Sequence, residues 1–173
     1  MPHTSLHLHN IGRPLAWCWA AVAVLWLAGC AYPTQLKPGA TEQEVQQKLG
    51  APYVAVPQVD GGQRWLYSTQ PMGREAFQLR FGADGRLQST TQVLTAENFG
   101  AIRNGQYTER QLLQDFGPPM EVTQVSSFDG RVFTYRFWDN SIKRFAHVHI
   151  DRQGVVQRLM FMDEPLPEPR QRD

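Results

Sequence analysis

The chain reads as an α+β protein built from two tandem modules, each a short helix packed on a three-stranded antiparallel sheet, with a signal peptide in front. Three observations predict this: an internal repeat at a spacing of 67 to 69 residues, a capped two-turn helix pattern opening each copy, and alternating apolar runs punctuated by glycine turns after it. Along the chain the reading is a signal peptide over 1–29, a short linker over 30–36, a first module over 37–95, a linker over 96–103, a second module over 104–162 and a disordered tail over 163–173.

Composition supports one folded unit of ordinary size. The chain has 173 residues, 42% of them hydrophobic, 11% aromatic and 19% charged, which is enough apolar material for a packed core. Lys and Arg number 17 against 16 Asp and Glu, so there is no basic footprint and no nucleic-acid partner is expected. Cys18 and Cys30 are the two cysteines, and their spacing fits neither a zinc ribbon nor a redox pair.

At the N-terminus, Leu15–Leu27 runs apolar for 13 residues, the length of a signal-peptide core and too short to span a bilayer comfortably. It ends on Leu27-Ala28-Gly29-Cys30, which resembles the bacterial lipobox. The resemblance implies that Cys30 becomes the first mature residue and carries the acyl chains that tether the protein to a membrane. Each buried CH₂ contributes about 0.8 kcal/mol, so two or three chains hold a small domain there almost permanently. Ala31 rather than Asp after the lipidated position implies the periplasmic face of the outer membrane. Cleavage removes Cys18, leaving a mature domain with no disulfide.

Each module opens with a helix. Thr41 with Glu44, and Thr108 with Gln111, form capping boxes, while Gly50-x-Pro52 and Gly117-x-Pro119 stop the helices. Val45 with Leu49, and Leu112 with Phe116, make an apolar stripe at i, i+4, too short to stand alone. Strands follow over 64–68, 76–81 and 86–90 in copy one, and over 131–138, 145–150 and 155–161 in copy two. Alternation turns Phe77, Leu79, Phe81, Phe133, Tyr135, Phe137, Ala146, Val148 and Ile150 toward the helices. It turns Gln78, Arg80, Thr134, Arg136, Trp138, His147 and His149 to the opposite side, which is expected to stay open. Later landmarks keep the repeat: Tyr67 matches Tyr135, and Gly85 matches Gly154.

The run Gly-x-Thr-x-x-x-Val-x-x-x-Leu-Gly-x-Pro over 39–52, followed by Trp65-x-Tyr67 and the Phe81-x-x-x-Gly85 hairpin, resembles the SmpA/OmlA (BamE-like) lipoprotein family. The resemblance covers residues 37–93, and residues 104–162 resemble the same module more loosely. It implies an accessory of the machine that inserts β-barrels into the outer membrane. Tandem modules of this length are also similar to the β-lactamase-inhibitor-protein (BLIP-like) fold, which implies a concave sheet face that captures a periplasmic enzyme or ligand.

No Gly-x-Ser-x-Gly elbow, phosphate loop or dinucleotide fingerprint occurs, so no catalytic residue, cofactor or enzymatic activity is expected. His147-x-His149-x-Asp151 places three potential metal ligands on one side of a strand, but Gln78 and Arg80 hold the matching places in copy one. A polar strand is the expectation, with no metal. Arg136, Trp138, His147, His149 and Arg158 are instead the candidate partner-binding residues, since Trp, His and Arg combine flat apolar area with polar edges.

Overall fold

The computed structural model describes residues 32–165, in which two four-stranded antiparallel sheets carry three short α-helices. The first repeat runs α1 (Glu42–Leu49), β1 (Val54–Pro57), β2 (Gln63–Ser68), β3 (Ala76–Phe81) and β4 (Leu87–Gln92). The connection holds α2 (Ala96–Gly100), and the second repeat runs α3 (Glu109–Phe116), β5 (Glu121–Thr123), β6 (Gly130–Asp139), β7 (Ile142–Asp151) and β8 (Val156–Asp163). Strands within each sheet are hydrogen-bonded in chain order. The signal peptide, Cys30 and residues 166–173 lie outside the described residues. Among the described residues no helix is long and apolar enough to cross a membrane.

The expected three-stranded sheets are therefore four-stranded. The extra strand, β1 or β5, is an edge of four or three residues, too short to display alternation, and Pro57 at the end of β1 reads locally as a strand breaker.

Each helix is pinned to its sheet at both ends by the same contacts in the two repeats. Thr41 Oγ1 accepts from Glu44 N at 3.2 Å while the Glu44 carboxylate accepts from Thr41 N at 2.8 Å, and Thr108 and Gln111 repeat the exchange at 3.3 and 2.9 Å. The first helical amide of each, Glu42 or Glu109, donates to the carbonyl of Gly85 or Gly154 in the last hairpin. At the other end the carbonyls of Gly50 and Gly117 accept the phenol protons of Tyr67 and Tyr135 at 2.9 and 3.0 Å. This is why glycine and tyrosine recur together in the sequence. Val45 rests on Trp65, Phe77, Leu79, Phe81 and Leu87, and Leu112 and Phe116 rest on Phe133, Tyr135, Phe137, Ala146, Val148 and Ile150. The facing predicted by alternation holds. Bulges also fall at equivalent places, Arg80/Phe81 and His149/Ile150.

The far side of sheet 1 is not open, contrary to the expectation for both modules. Helix α3 lies against it, so the layers run α1, sheet 1, α3, sheet 2. Leu66, Ala76 and Val93 of the first repeat share one core with Leu112 and Phe116, and Leu113 packs on the same core beside Val54. Asp115 accepts from Arg64 of β2 at 2.5 Å and from the Tyr107 hydroxyl. Gln78 thus faces α3 across a cleft of about 300 Å³ instead of solvent.

The segment 96–103 is likewise core and not linker. Phe99 of α2 is fully buried, stacked on Phe116 at 4.5 Å and 8°, and touches Tyr135 and Phe137. Tyr32, 67 residues earlier, is half-buried against the first core, edge-on to Phe77 at 5.3 Å. At the other end Asp163 closes β8, and Glu164, 17% exposed, pairs with Arg74 and Arg136. The first two residues of the expected tail belong to the fold, because their arginine partners come from distant parts of the chain.

The seam makes the two helix-stopping glycines unequal. Both have a left-handed φ, 79° at Gly50 and 84° at Gly117, but a Cβ on Gly50 meets nothing within 4 Å. A Cβ on Gly117 would lie 3.2 Å from Leu66 Cδ2 and 3.3 Å from Ser68 Cβ. Gly50→Ala is expected to cost about 1–3 kcal/mol of backbone strain, and Gly117→Ala more, measured by urea unfolding. Equal losses would contradict a tight seam.

Candidate functional site

The outer face of sheet 2 is the counterpart of the face that α3 covers in sheet 1. Antiparallel register places its residues in rows: Glu121, Thr134, His147 and Met160 in one, Thr123, Val132, His149 and Arg158 in the next. A third row holds Arg136, Phe145 and Met162, and a fourth pairs Trp138 with Lys143. All five candidate residues thus share one face. The rows also bring in Val132, Phe145, Met160 and Met162, which the sequence reading missed. The available signal was β8, where Leu159-Met160-Phe161-Met162 is apolar on both sides of an edge strand.

The five candidates differ in accessibility. Trp138 is 43% exposed, with the Arg74 guanidinium 5.3 Å and the Lys143 ammonium 5.8 Å from its ring centroids. Arg158 is exposed. Arg136 is half-buried, pairs with Glu164 at 3.6 Å, and its carbonyl accepts from Gln70 Nε2 at 2.7 Å, so it ties the two repeats together. His147 Nδ1 and Thr134 Oγ1 are 3.0 Å apart, and the Phe145 ring is 5.7 Å from the imidazole. His149 is only 6% exposed, packed edge-on to Phe128 at 5.1 Å, and its Nδ1 has no hydrogen-bond partner among the described residues. Alternation put His149 on the correct face, but the loop that covers it comes from elsewhere. Asp151 is absorbed by its turn: its carboxylate accepts from the amides of Gln153 and Val155 and from Gln157 Nε2.

His147 and His149 form the floor of a groove of about 360 Å³, with Met120, Val125 and Val132 along one side and Met160 and Met162 along the other; Arg136, Trp138 and Arg158 lie on the same face outside its lining. Met160 is 42% and Met162 52% exposed. Wider clefts of about 690 Å³ lie against the 124–131 loop and beside the α3 N-terminus, and are lined mainly by turn and helix-start residues. The sheet groove offers contiguous apolar area with a few polar handles, an arrangement suited to holding another molecule's apolar surface in a defined orientation.

Burial holds both imidazoles below the ordinary histidine pKa; the neighbouring Arg158 lowers His149 further, while Glu121 works against the shift at His147. Burial pushes the Tyr67 phenol up to about 12, so its bond to Gly50 persists across the physiological range.

No family model and no curated protein matches this chain. Among solved structures, a DUF4309 family protein (YjgB) from Bacillus subtilis subsp. subtilis str. 168 aligns over 72% of this chain and 79% of its own, at 18% identity and a TM-score of 0.28. A likeness of that size transfers neither fold nor activity.

The histidines dictate a pH response. Because they hold protons less well folded than unfolded, the unfolded chain binds more protons below the ordinary value of 6.5. Their contribution is complete above that value and is lost as pH falls from it through the lower folded pKa values. The thermal unfolding midpoint, followed by circular dichroism, is expected to drop between pH 7 and 5, and His147→Gln combined with His149→Gln is expected to flatten that drop. A flat wild-type profile would contradict the burial.

Proposed function

We propose that this is a lipid-anchored periplasmic lipoprotein of the outer membrane that works by non-covalent protein binding, as an accessory to outer-membrane protein assembly or envelope integrity. The observation that carries the reading is the inequality of two equivalent sheet faces. One is filled by the protein's own helix α3, whereas the other presents Trp138, Phe145, Met160 and Met162 with no helix of the described chain upon it. Apolar residues gathered on a face ringed by polar ones are the usual mark of an interaction site. The lipobox at Cys30 and the resemblance to the SmpA/OmlA family supply the address and the assembly context. Tethering acts through geometry: acyl chains confine the protein to one surface and raise its effective concentration for neighbours there.

Co-purification in mild detergent tests the partner. Recovery with barrel-assembly subunits supports the accessory role, whereas recovery with a soluble periplasmic enzyme moves the protein to the inhibitor-like class. Trp138→Ala is expected to weaken that recovery and to cost only about 1 kcal/mol of stability, the value of an exposed cation–π contact. A collapse in unfolding temperature would make Trp138 a core residue. Cys30→Ala is expected to abolish incorporation of a fatty-acid analogue in cells and to release the protein from the membrane fraction; unchanged labelling would remove the anchor.

A further inference from the structure

The molecule contains its own comparison. The row Val54, Leu66, Gln78, Thr91 of sheet 1 corresponds to Glu121, Thr134, His147, Met160 of sheet 2, and the pair Ser68, Ala76 corresponds to Arg136, Phe145. Strand order, register and bulge position agree, so the rows common to the two outer faces correspond residue by residue. On the first face, α3 seats Leu113 beside Val54 and delivers the Asp115 carboxylate to Arg64 at 2.5 Å.

We infer that the outer face of sheet 2 receives an amphipathic helix of a partner protein, lying as α3 lies on sheet 1 and carrying a carboxylate on the side that meets the sheet. The inference rests on the protein-binding reading above and names the partner's chemistry. Row positions follow from the repeat. Apolar residues are redistributed on this face: Phe145 and Met160 stand where sheet 1 has Ala76 and Thr91, and Val132 where it has Arg64, while Glu121 and Thr134 stand where it has Val54 and Leu66. Charge follows from Lys143 and Arg158, which have no carboxylate within 4 Å among the described residues, against Glu121 as the acid of the rows. A second copy is a poor occupant. It would offer α1, which has Gln46 and Lys48 where α3 has Leu113 and Asp115, so the apolar contact is lost and the charge has the wrong sign.

The probe is a hydrocarbon-stapled peptide of residues 106–119, the α3 sequence, titrated into the full chain in detergent by fluorescence anisotropy. Its control carries Leu113→Gln and Asp115→Lys, the α1 pattern. Saturable binding is expected for the first and binding at least about tenfold weaker for the second, since an apolar contact and a charge contact worth about 1.4 kcal/mol together give that factor. Met160→Glu and, separately, Arg158→Glu are each expected to reduce binding of the acidic peptide about tenfold with unchanged circular dichroism. Equal binding of both peptides, no saturation at millimolar peptide, or indifference to both variants overturns the inference. A photo-crosslinker at Met160 in cells separates this from the underlying reading. An adduct within a helix bearing acidic residues supports it; an adduct with a strand, a loop, a second copy or lipid overturns it. No adduct at Met160, with co-purification still sensitive to Trp138→Ala, overturns the helix and leaves protein binding standing. Loss of both signals removes the two together.

Discussion

Helix α3 has to satisfy two sheets at once, and the architecture depends on that double burial. A two-turn helix is marginal in water, so α1 manages with one apolar stripe because it has one neighbour. In α3 the stripe of Leu112 and Phe116 faces its own sheet while Leu113 turns toward the other repeat. Asp115 adds direction. Its carboxylate is shared between Arg64 of the first repeat and Tyr107 of the second, and in a half-buried seam such a bridge costs more to break than an exposed ion pair. Phe99, wedged on Phe116 between the repeats, fills what α3 leaves open. Two copies that might have been beads on a string become one compact unit.

What was legible in the sequence was whatever local chemistry determines. Capping boxes, helix-stopping glycines and the inward residues of three strands all depend on neighbours within a few positions or on period-2 alternation, and these were placed correctly. The Gly50–Tyr67 and Gly117–Tyr135 pairs were visible as repeat landmarks before their hydrogen bonds gave them a cause. Edge strands β1 and β5 were not legible, since three or four residues contain less than two periods and Pro57 argues the other way.

The misses of larger consequence are long-range. Nothing local distinguishes Gln78 facing water from Gln78 facing a helix that begins at Glu109. A segment of prolines and charges hides Glu164, whose arginines lie at 74 and 136. At the candidate site, alternation assigned the face of Arg136, Trp138, His147 and His149 correctly but could not say which of them a loop would cover; Phe128 packs edge-on against His149. Comparing the copies position by position would have gone further. The change from Gln46 to Leu113 and from Lys48 to Asp115 is the written trace of a second neighbour, and the offset that links Tyr32 to Phe99 extends the repeat upstream of the first helix.

The alternation of helix and sheet layers gives the molecule a polarity. Its leading end is a helix whose outward side is already polar, and growth there would require rewriting α1. Its trailing end is a sheet whose outer face carries no helix of the described chain, so growth would proceed from that side. In that sense the second module is a ligand of the first, captured permanently by a peptide bond.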